Sequence, residues 1–120
     1  MARADLVSPI ILNTNKRADT LACLESLSAQ QNVRLSTFVL DNKSTDGSNE
    51  AISHRYPEVT IVKLNENKGY AGNNNEGIRV ALAAGGVWIF VLNEDVVLDA
   101  KSIEELLDAA SQVPSAGILG

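Results

Sequence analysis

Short apolar runs alternate with segments of helical period along the whole chain, and no other feature restricts the fold as much. The runs at residues 9–12 (PIIL), 37–40 (TFVL), 59–64 (VTIVKL) and 87–92 (VWIFVL) have the length of strands, and the first reads as a strand buried on both faces. After the first run, Leu21, Leu24 and Leu27 recur at helical spacing, with Asp19 in the predicted first turn. A short helix follows the second run and ends near Arg55, because Pro57 cannot continue it. Ile78, Ala81 and Leu82 predict a third helix, closed by Gly85-Gly86. In the last helix Ile103, Leu106, Leu107 and Ala110 keep the i, i+3, i+4, i+7 pattern, and Ser102 with Glu105 reads as a capping box. Strands joined through helices imply an α/β chain: a Rossmann-like, three-layer α/β/α arrangement with a mainly parallel sheet.

The 120 residues suffice for one domain, residues 1–120, and hardly for two. Residues 116–120 read as the start of a fifth strand, so the chain is expected to be a fragment of a longer protein. No apolar stretch approaches the ~18 residues of a membrane helix. The N-terminus lacks the apolar segment of a signal peptide, which predicts a cytoplasmic location. The net charge is −5, and the nearest thing to a basic stripe is Lys16-Arg17, which excludes a general nucleic-acid binder. An anionic small molecule would have to be held locally, by backbone N–H groups, one or two cations or a metal ion. The single cysteine, Cys23, lies in the Leu21–Leu24–Leu27 pattern and reads as a buried, reduced thiol. The single histidine, His54, falls at an exposed helix end and offers that thiol no partner.

In an open parallel sheet, ligands bind beyond the carboxyl ends of the strands. Those positions hold Asn13, Thr14 and Asn15 after the first run, and Asp41 and Asn42 after the second. Asn65, Asn67, Lys68 and Gly69 follow the third, and Asn93, Glu94 and Asp95 the fourth. Helix capping by Ser44, Thr45 and Asp46, with a turn at Gly47, accounts for the rest of the second cluster but not for Asp41. A charge at the end of an apolar strand needs a partner, and a carboxylate there can accept an N–H from a base or a ribose hydroxyl. Asn93-Glu94-Asp95 reads either as a turn or as a divalent-cation site, with Asp95 and nucleotide phosphates as ligands. The Asn- and Gly-rich stretch at 65–75 begins as a loop and lacks phosphate-loop spacing. It suits a helix N-terminus where backbone approaches a ligand closely.

These motifs, in this order, resemble family 2 glycosyltransferases with the GT-A fold. The resemblance rests on Asn13-Thr14-Asn15, on Asp41 through Gly47, on Asn67-Lys68-Gly69-Tyr70-Ala71 with Asn75, and on Asn93-Glu94-Asp95. It covers essentially the whole chain. It implies that Asp41 contacts the base and that Asn13, Thr14, Asn15 and Asn42 line the nucleoside pocket. The Gly69–Asn75 loop would flank nucleotide and sugar, Asn93 would approach the ribose or sugar, and Asp95 would bind the metal. Mg2+ or Mn2+ is the implied cofactor, and a dTDP- or UDP-sugar the implied donor. A saccharide or lipid-linked acceptor would be engaged by the complete enzyme. The implied reaction is inverting hexosyl transfer to an acceptor hydroxyl, with the activating base beyond Gly120 and this chain supplying the donor half alone. Asn13-x-Asn15 and Asn93-x-Asp95 are similar to a rhamnosyltransferase-like branch. Thr14 departs from the usual aromatic ring, which removes base stacking there, and Glu94 stands where that branch often has Pro.

Two further expectations follow. The fourth strand would lie at an exposed sheet edge, which invites a homodimer through that edge. A rival reading is a catalytically inactive nucleotide-binding or assembly module on the same scaffold. A receiver domain is disfavoured, because Asn13-Thr14-Asn15 and Leu64-Asn65 stand where its acids would be.

Overall fold

In the computed structural model the structure describes residues 5–112. Five parallel strands and four helices follow in the order β1 (Leu6–Asn13), α1 (Arg17–Ser28), β2 (Arg34–Leu35), β3 (Phe38–Asp41), α2 (Ser48–Arg55), β4 (Thr60–Lys63), α3 (Gly69–Ala83), β5 (Trp88–Leu92) and α4 (Ser102–Gln112). The expected α/β alternation is present. The start of a fifth strand predicted at 116–120 lies outside the described residues.

β1 is the centre of the sheet. β5 pairs with it from Val7↔Trp88 to Ile11↔Leu92. β2 and β3 pair with it in one unbroken register, Leu6↔Arg34 through Asn13↔Asp41, so they act as a single strand interrupted at Ser36 and Thr37. The strand expected at 37–40 is thus preceded by a second short piece at Arg34–Leu35. Ser36 still donates its N–H to the Val7 carbonyl (2.9 Å), which keeps the register across the break. β4 then pairs with β3. The chain therefore runs outward from β1 to β4 and returns past β1 to β5. The strand order reverses between β1 and β5, where an open α/β sheet offers a ligand crevice. β5 has one strand neighbour among the described residues, as expected of an edge, and Val91 on it is 39 % exposed.

Two apolar layers flank the sheet. Val7, Ile11, Val39 and Leu92 pack with Cys23, Leu24 and Leu27 of α1, Ile52 of α2, and Ile103 and Leu107 of α4. Ile10, Phe38, Leu40 and Leu64 pack with Ala81 and Ile78 of α3 on the other face. This is the alternation of side-chain direction along a strand expressed as two cores.

α3 departs most from expectation. The stretch read as a loop to Asn75 is helical from Gly69, so the Gly69–Asn75 loop of the sequence reading is two turns of helix. Asn and Gly favour loops because they solvate or loosen backbone, and here tertiary bonds outweigh that tendency. Asn73 is buried, donates to Asn67 Oδ1 (3.0 Å) and accepts the Lys68 N–H (3.0 Å), which ties the helix to the preceding turn. The apolar stripe is also rotated by one position. Gly77 and Ala81 face the sheet, while Leu82 is 55 % exposed. Gly77 sets this: a Cβ there would lie 2.7 Å from Leu40 Cδ1 and 2.8 Å from Ile10 Cγ2, so its absence lets α3 seat directly on β1 and β3.

The capping box at α4 does not form. Ser102 is already helical, and the Glu105 N–H donates to the Lys101 carbonyl (2.9 Å) rather than to the Ser102 hydroxyl.

Candidate functional site

The carboxyl ends of β1, β3 and β5 and the head of α3 converge on one edge of the sheet. Asn13, the last residue of β1, is fully buried. Its Oδ1 accepts the Lys16 N–H (3.1 Å) and the Thr20 hydroxyl (2.9 Å), and its Nδ2 donates to Ser44 Oγ (3.2 Å). Asn15 follows at φ 53°, a left-handed conformation that Asn tolerates better than most residues. Its N–H donates to Ser44 Oγ (3.0 Å), and its Oδ1 accepts the Thr45 N–H (2.7 Å). Ser44 and Thr45, expected to cap α2, instead clasp the loop after β1. Asp46 does the capping. Its Oδ1 accepts the Ser48 N–H (3.0 Å) and the Ser48 hydroxyl, and its Oδ2 accepts the Arg17 N–H (3.0 Å). One carboxylate thus serves the N-termini of α1 and α2. The Ser48 hydroxyl foremost holds the Asp46 carboxyl below its usual range; desolvation opposes it, and the backbone N–H groups of Ser48 and Arg17 add to the lowering.

Asp41 closes the same network from β3. It is 4 % exposed; Oδ1 accepts the Ser44 N–H (3.2 Å) and Oδ2 accepts Asn49 Nδ2 (2.8 Å). A carboxylate has about four acceptor positions, so a ligand donor can still be served beside these two bonds. Asn42 is half-buried and donates its N–H to the Asn13 carbonyl (3.0 Å), while Thr14 is exposed beside it. The first two motifs of the sequence are therefore one structure.

Across the crevice the arrangement is sparser. Gly69 has φ 78° and donates its N–H to Asn67 Oδ1 (3.0 Å). No acidic residue stands in the first turn of α3. Tyr70, 59 % exposed, donates its hydroxyl to Asn93 Oδ1 (2.9 Å) and so links α3 to the segment after β5. Asp95 is exposed and accepts no hydrogen bond from the described residues. Asn75 is not brought into this group: it is exposed, on the side of α3 turned from the sheet. The buried asparagines of α3 are Asn73 and Asn74, which no motif of the sequence singles out.

No group of three or more His, Cys, Asp or Glu side chains that could hold a metal ion occurs among the described residues. The available donor set is nevertheless of the right chemistry for a hard cation. One exposed carboxylate, with phosphate oxygens and water to complete the shell, suits Mg2+ or Mn2+, which need few protein ligands. The acids also act inward: burial first, then the charges of Asp95 and Glu94, push the Cys23 thiol up to about 11. Cys23 is thus a protonated core residue, not a nucleophile.

The Glycosyl transferase family 2 sequence model matches residues 8–120 of this chain. The chain belongs to glycosyl transferase family 2. A curated relative, the N-acetylglucosaminyl-diphospho-decaprenol L-rhamnosyltransferase of Mycobacterium tuberculosis, is 39 % identical over 105 residues, covering 81 % of this chain and 34 % of its own length. An uncharacterized glycosyltransferase of Haemophilus influenzae is 27 % identical over 110 residues, covering 92 % of this chain and 36 % of its own length. The chain spans about a third of the length of these curated relatives. Among solved structures, the mannosyltransferase PcManGT from Pyrobaculum calidifontis, in complex with GDP-Man and Mn2+, superposes with a TM-score of 0.72 at 24 % identity, over 95 % of this chain and 33 % of that one. S. aureus TarS 1-349 in complex with UDP gives 0.75 at 16 % identity, over 95 % and 38 %. At these identities the likeness concerns the fold, which is that of the GT-A glycosyltransferases. Among the described residues no helix of this family member is long and apolar enough to cross a membrane.

Proposed function

We propose that this family 2 chain supplies the donor-binding half of an inverting glycosyltransferase, with residues 1–120 acting as a single nucleotide-sugar-binding domain. One observation carries the reading: Asn13, Asp41, Asn93 and Asp95 converge on the edge of the sheet where the strand order reverses. Asp41 offers its remaining acceptor positions to the base or ribose, and Thr14, Asn15 and Asn42 border that pocket. The head of α3, beyond the Gly69 N–H already held by Asn67, presents backbone N–H groups and the positive end of the helix to the diphosphate. Asn93 is the neighbour of ribose or sugar, and Asp95 is the protein ligand of Mg2+ or Mn2+. When bound, such a cation neutralises the charge that develops on the departing nucleoside diphosphate. The activating base for the acceptor hydroxyl is expected beyond Gly120.

The rhamnosyltransferase relative supports a deoxyhexose donor and a lipid-linked acceptor for the complete enzyme, and dTDP or UDP is the carrier this reading assigns to that donor. The exposed edge of β5 supports self-association through that edge, which light scattering across a concentration series reads directly.

Calorimetric titration with UDP and with dTDP, with and without Mn2+, tests the donor site. Metal-dependent binding that Asp95→Ala removes is the expected result. A folded protein that binds neither nucleotide under any of these conditions refutes the reading.

A further inference from the structure

Three buried side-chain atoms lack a hydrogen-bond partner among the described residues: Ser8 Oγ, Asn49 Oδ1 and Asn74 Oδ1. Ser8 lies in the first half of β1 beneath Gly86, far from the crevice. Asn49 is half-buried, and its amide nitrogen already serves Asp41. Asn74 differs from both. It is 6 % exposed, in the second turn of α3, and neither its neighbours on the helix nor the sheet supply a donor for its oxygen.

Helical spacing fixes where it lies. Tyr70, Asn74, Gly77 and Ala81 stand at i, i+4, i+7 and i+11, a single stripe. Gly77 on that stripe rests on Ile10 and Leu40, and Tyr70 reaches Asn93 after β5. Asn74 sits between these two contacts, beneath the carboxyl ends of the strands. Side chains on a helix lean toward its N-terminus, and on this stripe that direction runs from Gly77 past Asn74 toward Tyr70 and the segment after β5. Among the described residues one hydrogen bond, from the Tyr70 hydroxyl to Asn93, ties its ring down, and Tyr70 is 59 % exposed.

A buried amide oxygen without a donor costs stability. An apolar residue of similar size would avoid that cost in this apolar layer. We infer that Asn74 is a binding and specificity residue of the donor site, accepting a hydrogen bond from a hydroxyl of the nucleotide sugar when the Tyr70 ring moves aside. The hydroxyl belongs either to the ribose or to the hexose, and the same acceptor suits both. This inference rests on the donor-site reading above and adds to it a floor residue that neither Asp41 nor Asp95 supplies.

The experiment compares wild type with Asn74→Leu and Asn74→Ala, each checked for folding by circular dichroism, in titrations with UDP and UDP-glucose plus Mn2+. Asn74→Leu is expected to keep or raise the Tm, because it removes an unpartnered polar group, while binding weakens by about tenfold or more. Asn74→Ala guards against strain from the larger side chain and is expected to lose binding equally. A loss already seen with UDP assigns the hydroxyl to the ribose, and a loss confined to UDP-glucose assigns it to the sugar. If wild type binds and a folded variant binds as tightly, the inference is overturned and the donor-site reading stands. If wild type binds neither ligand, and dTDP no better, both fall.

Discussion

The two flanks of the crevice are built on opposite plans. On the α1/α2 flank, Asn13, Asn15, Ser44, Asp41 and Asp46 bind one another, and one carboxylate caps two helices. On the α3/β5 flank, among the described residues, a single side-chain bond, Tyr70 to Asn93, crosses from α3 to the segment after β5, Asp95 accepts no hydrogen bond, and Asn74 Oδ1 is without a partner. Both flanks are rich in Asn, Asp and Ser or Gly, so composition alone does not separate them. The difference is in where the bonds go. A flank whose polar groups satisfy each other is rigid before any ligand arrives, which is what positioning a base requires. On the other flank Asn67 and Asn73 are spent on the start of α3, and the groups left over, Asp95 and Asn74 Oδ1, keep their bonding capacity for phosphate, sugar and cation.

The comparison predicts that removing a polar group destabilises the first flank and spares the second. The largest effect is expected at Asn13. Asn13→Ala strands the buried Thr20 hydroxyl and the Lys16 N–H and opens the clasp to Ser44. Leaving buried partners unpaired costs roughly 1–3 kcal/mol, and urea unfolding should show a loss on the order of 3 kcal/mol. A loss under ~0.5 kcal/mol, the ordinary range for surface changes, would mean that the network is not what holds the flank.

Asp46 comes next. Asp46→Asn keeps the shape but takes the charge from both helix N-termini, and should lower the Tm measurably at pH 7. The wild-type protein carries the same information in its pH dependence. The folded Asp46 pKa lies below the unfolded value. The contribution of this group is therefore complete above the unfolded pKa, and it is lost as pH falls through the folded one. Stability curves of wild type and Asp46→Asn should converge below about pH 4. Curves that stay parallel down to acid would remove Asp46 from the account.

How much of this was legible without coordinates divides along the same line. The strands at 9–12 and 87–92 and the helices around Leu24 and Leu107 follow from periodicity, because each is decided by burial on a fixed face. The placement of Asp41, Asn93 and Asp95 at one end of the sheet follows from their positions after the apolar runs. The clasp of Ser44 on Asn15 was not legible, since it joins loops that are adjacent only because β1 and β3 pair. The start of α3 was misread for a related reason: Asn73 supports the helix through Asn67 and Lys68, and propensity records no such bond. In the run Asn73-Asn74-Asn75, only the phase set by Gly77 tells the buried residues from the exposed one. That phase depends on a contact with Ile10 and Leu40 that a one-residue side chain of hydrogen does not announce.

On the open flank, Asp95→Ala should leave stability within about 0.5 kcal/mol, as for a surface residue without partners. The same variant should lose Mn2+-dependent nucleotide binding. Together the two readings sharpen the contrast, because Asn13→Ala is expected to lose stability first. If Asp95→Ala unfolds the protein, the carboxylate has a structural partner and the flank is not open.

The smallest change in stability is expected from Tyr70→Phe. The ring is mostly exposed, and the variant keeps it while deleting the hydroxyl that holds Asn93 Oδ1. Stability should move by less than about 0.5 kcal/mol, since the freed Asn93 oxygen is exposed and water replaces the bond. Binding is the more telling readout. The bond to Tyr70 occupies the Asn93 acceptor that a sugar or ribose hydroxyl would use, so its removal frees that acceptor and loosens the ring above Asn74. Affinity for UDP with Mn2+ should stay level or rise a few-fold. A fall of about tenfold, the size of one lost hydrogen bond in a desolvated site, would show that the Tyr70 hydroxyl itself touches the ligand, and the open flank would then carry a preformed contact as the other flank does.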